Sequence, residues 1–249
     1  MKAELIANLG DDLTVVNAAR VSFDKQASWK KDVKSPPTEK ELHGKDIKLI
    51  KYLAKHNHFT PFTHCSITLR ETVPIFVARQ RFKHTIGFTY NEISRRYVSD
   101  DPEFYSPETW RFKADNVKQG SDKDGLTEKE LNEKIWFIDG VFRALDQSSN
   151  SPKELYSMCM RTYKSLLELN ICPEQARMVL PQSMYTSYYV TGSLAAFARA
   201  YNLRSEATAQ EEIRELAEEW NKIICKLFPE SWKALTNNNN NNNNEKVLH

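Results

Sequence analysis

The sequence predicts an α+β fold, a small, mostly antiparallel sheet flanked by helices in a single domain. Three observations carry that expectation. Ile67, Leu69 and Val73 alternate with Ser66, Thr68, Arg70 and Thr72, the period of a strand with one wet face, and SMYTSYYV at 183–190 is aromatic and strand-like. Around these segments lie apolar stripes at helical spacing, several of them opened by Ser or Thr followed three residues later by Glu. The chain has 249 residues, which is enough for one full core.

Taken in order, Asp11 and Asp12 offer alternative caps for a short helix running into NAARVSF at 17–23. Residues 25–37 read as a loop. Thr38 and Glu41, at capping-box spacing, announce a helix carrying Ile47, Ile50, Leu53 and Ala54 up to His56. Pro74 ends the strand at 65–73 and, preorganised for a first helical turn, opens a short helix that delivers Arg79, Gln80 and Arg81 to the next loop. Residues 89–98 read as extended again, which places Glu92, Ser94 and Arg96 on one side. The charged, Pro- and Gly-containing stretch 99–126 reads as a long surface excursion, mobile or lid-like.

Capping boxes at Thr127/Glu130 and Ser151/Glu154, the second with Pro152 at the first helical position, open two amphipathic helices. They carry Leu131, Ile135 and Leu145, then Leu155, Cys159 and Leu166. Pro173 opens a third, shorter helix, residues 193–204 a fourth, and the stripe from Ala209 to Leu227 a core helix. The run of eight asparagines at 237–244 cannot bury apolar area, so the domain is expected over 1–235 with a disordered tail at 236–249.

Charge narrows the function. Lys and Arg total 35 against 33 Asp and Glu, a net +2, too balanced for a chain that coats nucleic acid or anionic membrane. The first ten residues lack a signal-peptide core and no apolar run approaches a bilayer span, so a cytoplasmic protein is expected. Four cysteines without CxxC spacing or nearby histidines fit neither a zinc site nor a disulfide framework. Reduced, mostly buried thiols and no metal are the expectation.

The chemistry concentrates at 79–97, where Arg79, Arg81, Lys83, His84, Glu92, Arg95 and Arg96 crowd beside Gly87, Thr89, Asn91 and Ser94. A solvated charged face is one reading. The other is a nucleotide pocket, because guanidinium forks mixed with short hydroxyls and amides suit a phosphate plus a heteroaromatic base.

NAARVSFD at 17–24, HNHFTPFTH at 56–64, IFVARQ at 75–80, YNEISRRY at 90–97, ARMVLP at 176–181 and YNLR at 201–204 together resemble the flavin-dependent thymidylate synthases. The resemblance implies FAD as cofactor, NADPH and 5,10-methylenetetrahydrofolate as co-substrates, and conversion of dUMP to dTMP with release of tetrahydrofolate. It also implies a homotetramer with active sites shared between subunits. No GxGxxG follows a strand, so the flavin does not belong in a Rossmann crevice.

The family signature, Arg-His-Arg then seven residues then Ser, is altered here. Lys83, His84 and Thr85 stand at its first three positions, with eight residues before Ser94. By resemblance Gln80, Lys83, Glu92, Ser94, Arg96 and Arg177 surround dUMP, assisted by backbone amides around Ile93, Arg95 and Arg96. Arg204 meets the uracil ring, where a fixed guanidinium stabilises negative charge and raises the nucleophilicity of C5. His58, Thr60, Lys83, His84, Thr85, Asn91 and Glu92 match positions that approach FAD, and Arg199 falls where the family carries a flavin-contacting asparagine. Plainer readings remain for several: Arg177 as a surface arginine, Arg204 as a helix C-terminal cation, Arg199 as a solvent-facing residue, His58 as structural. Three rival functions are a cysteine-dependent synthase, which needs an activated thiolate, a nucleic-acid-binding stripe over 79–96, and a flavin reductase or oxidase without methylation.

Overall fold

The computed structural model describes residues 1–30, 41–98, 100–115, 120–139 and 151–236, the side chains of 135–139 excepted. The fold is α+β, with a small antiparallel sheet and flanking helices. It divides into two compact units: Met1–Glu71, Phe82–Asn91 and Tyr188–His249 form one, and Thr72–Arg81 with Glu92–Ser187 the other.

Most residues of the four-stranded sheet belong to the first unit. Strand β2, Ser66–Pro74, and strand β6, Tyr185–Ser193, are its two central strands, while β1, Lys2–Leu9, and β3, Phe88–Glu92, are its edges, in the order β1-β2-β6-β3. The predicted alternation holds for β2, where Ile67, Leu69 and Val73 are buried, but the buried face also includes Glu71. Its carboxylate survives burial by accepting a 2.6 Å hydrogen bond from the hydroxyl of Tyr188. Strand β1 is not foreseen from sequence: only Ala3 is buried, while Leu5, Ile6 and Leu9 are exposed, so no period of two is written into it.

Helix α1, Asp12–Arg20, starts as a reciprocal capping box between Asp11 and Thr14. That leaves Asp12 to turn inward, where it accepts from the backbone N–H groups of Glu230 and Ser231 at 2.9 Å each. It thereby caps α10, Pro229–Thr236, a helix the sequence reading omits. Helix α2, Gly44–Lys55, buries Ile50, Leu53 and Ala54 as expected, but it begins after Glu41. Glu41 instead pairs with Lys30 at 2.5 Å, and Thr38 lies outside the described residues. A four-residue α3, Thr60–Thr63, leads into β2.

After β6, Ser193 caps α8, Leu194–Arg204, by accepting from the N–H of Ala196 at 3.2 Å. Helix α9, Glu211–Leu227, carries the predicted stripe, and Ile213, Leu216, Trp220 and Ile224 are fully buried. Helix α10 packs against α2, α8 and α9, and the core closes around Phe62, Phe197, Trp220, Phe228 and Trp232.

In the second unit, α4 runs over Ile75–Arg81 as expected. Arg81 is turned into the interior rather than delivered to the loop, with no exposed surface. Within the expected excursion at 99–126, the described residues include paired strands. Residues 103–105 pair with 183–185 through hydrogen bonds of 2.8 Å, and β4, Trp110–Lys113, and β5, Ser121–Leu126, form an antiparallel hairpin. Its partners are remote in sequence or themselves highly charged, so composition alone reads it as loop. The first capping box holds in both directions, Thr127 with Glu130 opening α5, Glu128–Asp139, and of the second the Ser151 half caps α6, Pro152–Glu168, its hydroxyl accepting from the N–H of Glu154. Leu145, expected on the first of these helices, and the asparagine run lie outside the described residues. Helix α7, Pro173–Ala176, follows Pro173 as expected.

Candidate functional site

The predicted site residues fall into one group in each unit. In the first unit they gather on the loop between Arg81 and β3 and on the helix α8 beside it. Gly87 sits at φ 79° and Phe88 donates its N–H to the carbonyl of Thr85 at 3.3 Å, which turns the loop tightly. A Cβ added at Gly87 would stand 2.9 Å from that of Ala196, so this glycine lets the loop lie on α8. Tyr90 then fixes the loop from β3, its hydroxyl donating to the carbonyl of His84 at 2.7 Å.

Held this way, His84 is buried while Lys83, Thr85 and Ile86 are exposed. Arg204, the last residue of α8, donates from Nε to Nε2 of His84 at 2.8 Å. The cation at the helix terminus and the arginine aimed at the loop are therefore the same side chain, and the macrodipole favours it there. Arg199 is exposed, yet its Nη2 donates to the carbonyl of Ile86 at 3.2 Å, which ties the helix to the loop. Asn91 is exposed on β3.

His58 and Thr60 occupy the junction of α2 and α3. His58 stands in a ring cluster with Tyr52 and His56, centroids 6.0 and 6.4 Å away. Among the described residues neither His58 nor Thr60 hydrogen-bonds to the 83–87 loop.

The second group lies beyond the end of β3. The strand stops at Glu92, and the chain turns through Arg95–Tyr97, closed by the N–H of Tyr97 donating to the carbonyl of Ser94 at 3.0 Å. The extended run expected over 89–98 is thus a strand followed by a turn. This turn, not strand alternation, juxtaposes Ser94 and Arg96: Ser94 Oγ accepts from the backbone N–H and from Nε of Arg96 at 3.3 and 3.1 Å. The guanidinium lies 5.0 Å from the ring centre of Tyr97 and 3.7 Å from the carboxylate of Glu174. Arg95 donates to the carbonyl of Asp100. Ile93 is anchored through its N–H to the carbonyl of Ser187 at 2.9 Å. Gln80 is half-buried on α4, and Arg177 is exposed on a turn of 3-10 helix, Arg177–Val179.

Glu92 accepts a 2.6 Å hydrogen bond from the hydroxyl of Thr186, a buried residue of β6. The sequence reading misses Thr186. Its one signal was a hydroxyl on the face of the strand that also presents Tyr188 and Val190.

The thiols are scattered and free, and only Cys65 is buried, so most are more accessible than expected. Burial first, then the charges of Asp11 and Asp12, push the Cys65 thiol up to about 12, far from a reactive thiolate. Cys172 is exposed just ahead of α7. Among the described residues no group of three or more His, Cys, Asp or Glu is placed to hold a metal ion, and no helix is long and apolar enough to cross a membrane.

Comparison with known proteins identifies the architecture. Residues 4–230 match the family described as thymidylate synthase complementing protein. The flavin-dependent thymidylate synthase of Thermosipho africanus is 38% identical over 213 residues, 86% of this chain and 81% of that protein. One from Thermus thermophilus is 34% identical over 230 residues, 92% and 73% of the two chains. Among solved structures, a UMP/dUMP methylase from Streptomyces cacaoi bound with 5-Br dUMP superposes with a TM-score of 0.70 at 28% identity, covering 94% of each chain. With the family match spanning most of the chain and relatives this similar along most of their length, the chain belongs to the flavin-dependent thymidylate synthase family.

Proposed function

We propose that this protein is an FAD-dependent thymidylate synthase that converts dUMP to dTMP, taking carbon from 5,10-methylenetetrahydrofolate and reducing equivalents from NADPH, and releasing tetrahydrofolate. The observation that carries the reading is the Streptomyces relative, whose bound pyrimidine nucleotide is substituted at C5, the carbon this reaction methylates.

The residues match the donor chemistry that FAD requires. Lys83, Thr85, Asn91 and Arg199 are exposed and supply cationic, hydroxyl and amide donors suited to a diphosphate, with His58, Thr60, His84 and Glu92 as the remaining flavin residues. Bound FAD, once reduced, supplies the hydride that completes the methyl group.

The chain's own part is binding and polarisation. Ser94, Arg96 and Arg177 hold the dUMP phosphate, which displaces Glu174 from Arg96 at little cost because exposed ion pairs are weak. Gln80, Lys83, Glu92, Ile93 and Arg95 line the nucleotide. Arg204 stabilises negative charge on the uracil ring and so activates C5. No cysteine takes part. The enzyme works as a cytoplasmic homotetramer with shared sites, and neither nucleic acid nor membrane is a partner.

The test is incubation of the purified flavoprotein with dUMP, NADPH and the methylene donor. Formation of dTMP with turnover-linked bleaching of the flavin absorption supports the reading; NADPH oxidation without dTMP would leave a flavin reductase. UMP run in parallel separates strict dUMP use from the broader use named for the Streptomyces relative.

A further inference from the structure

We propose that His84 is a positioning residue for Arg204: as a neutral imidazole with its proton on Nδ1, it accepts from Arg204 Nε and fixes the guanidinium that polarises uracil. The proposal rests on the reading of Arg204 given above.

The geometry sets the protonation state. Arginine has five N–H donors and no acceptor, so the 2.8 Å contact between Arg204 Nε and His84 Nε2 requires a lone pair on that ring nitrogen. The ring proton must then sit on Nδ1. An imidazolium would have no lone pair there and would set two cations side by side.

The backbone that carries the imidazole is also held. His84 is buried, 7% exposed, and its backbone carbonyl takes the Tyr90 hydroxyl at 2.7 Å. Tyr90 in turn packs edge-on against Phe82, centroids 5.0 Å apart. The acceptor is therefore carried by a braced loop.

The hydrogen bond grips Arg204 at Nε, the stem of the fork, and does not use the two Nη groups. Those are the end suited to a bidentate contact with neighbouring oxygen and nitrogen atoms on the edge of a pyrimidine. Fixing the stem sets the plane of the fork. His84 thus acts on the uracil through Arg204 and approaches the flavin alongside Lys83 and Thr85.

Isosteres give the test. The amide oxygen of His84→Gln can stand where Nε2 stands, whereas that of His84→Asn stands nearer Nδ1. With FAD at saturating concentration, His84→Ala is expected to lower kcat for dTMP formation by roughly ten- to a hundredfold at saturating dUMP. His84→Gln should restore most of that loss and His84→Asn should not. Solid-state NMR of the FAD-loaded protein labelled with nitrogen-15 in histidine should show His84 Nε2 without a proton, assigned by the signal missing in His84→Gln.

A proton on Nε2, an FAD-saturated His84→Ala enzyme with the parent kcat, or a His84→Gln enzyme no better than His84→Asn would overturn the proposal. Arg204→Ala separates it from the wider reading. If Arg204→Ala kept parent turnover, the role of Arg204 would fall and take this proposal with it; if Arg204→Ala were inactive while His84→Ala was not, only the proposal would fall.

Discussion

A guanidinium at the end of a helix already sits in the favourable field of the terminal carbonyls, and Arg204 adds a hydrogen bond to a buried imidazole. A side chain constrained at both levels is suited to stabilising charge that develops in a transition state. Arg204→Ala is therefore expected to lose about 10²–10³ in methylation rate while keeping its flavin absorption, and near-normal dTMP output would refute the assignment. The cysteines call for the opposite outcome. With its thiol raised to about 12, Cys65 should resist iodoacetamide in the folded protein while exposed Cys172 is modified, and replacing all four by Ser or Ala should leave dTMP formation intact. A single cysteine whose loss abolished turnover with FAD still bound would contradict this. At this scale the sequence shows which residue types crowd together but not which of them go inside. Arg81 and His84 are buried and Lys83 is exposed, although all three belong to one charged run. Thr186 becomes visible only once β6 meets Glu92.

Between elements, the 83–87 loop lies on α8, and Arg199 holds the carbonyl of Ile86 from that helix. In the function proposed above, Arg199 supplies the cation that Thr85 lacks and Lys83 the other. Removing either by Arg199→Ala or Lys83→Ala should weaken FAD binding roughly ten- to a hundredfold, the cost of one charged hydrogen bond, and both parent contacts should make affinity salt-sensitive. If Arg199→Ala bound FAD as tightly as the parent while Lys83→Ala did not, the loop alone would hold the phosphates. Asp12 joins elements at opposite ends of the chain. It satisfies two N–H groups at the start of α10, so Asp12→Ala should cost about 2 kcal/mol, read from a thermal melt. Desolvation raises its carboxyl above the usual 3.8 despite those donors. The pH-linked part of its stability contribution is thus fullest below pH 3.8 and lost as pH rises through the folded value. Asp12→Asn, keeping an acceptor without the charge, should be milder than Asp12→Ala at neutral pH, and an equal loss from both would refute that account. Elements written in local chemistry were legible: the box at Thr127, the cap at Ser151, the stripe of α9, the alternation of β2. Elements that depend on distant partners were not, as β1, α10 and the 110–126 hairpin show.

For the molecule as a whole, the linked blocks from NAARVSFD to YNLR were sufficient to identify the family, because several motifs in fixed order are far more specific than one altered signature. The fold itself was legible more coarsely. A sheet with flanking helices followed from the periodicities, while the packing into two compact units depends on long-range pairing that no local window contains. The central claim concerns where the last hydrogen of the new methyl group originates, and the folate product reports it. An enzyme that uses a thiolate and no flavin must take that hydride from the folate and release dihydrofolate, whereas the reaction proposed here leaves the folate at its own oxidation level. The decisive measurement is mass-spectrometric identification of the folate released by the NADPH-reduced protein with dUMP and methylenetetrahydrofolate. The account predicts tetrahydrofolate, mole for mole with dTMP, and dihydrofolate in that proportion would contradict it.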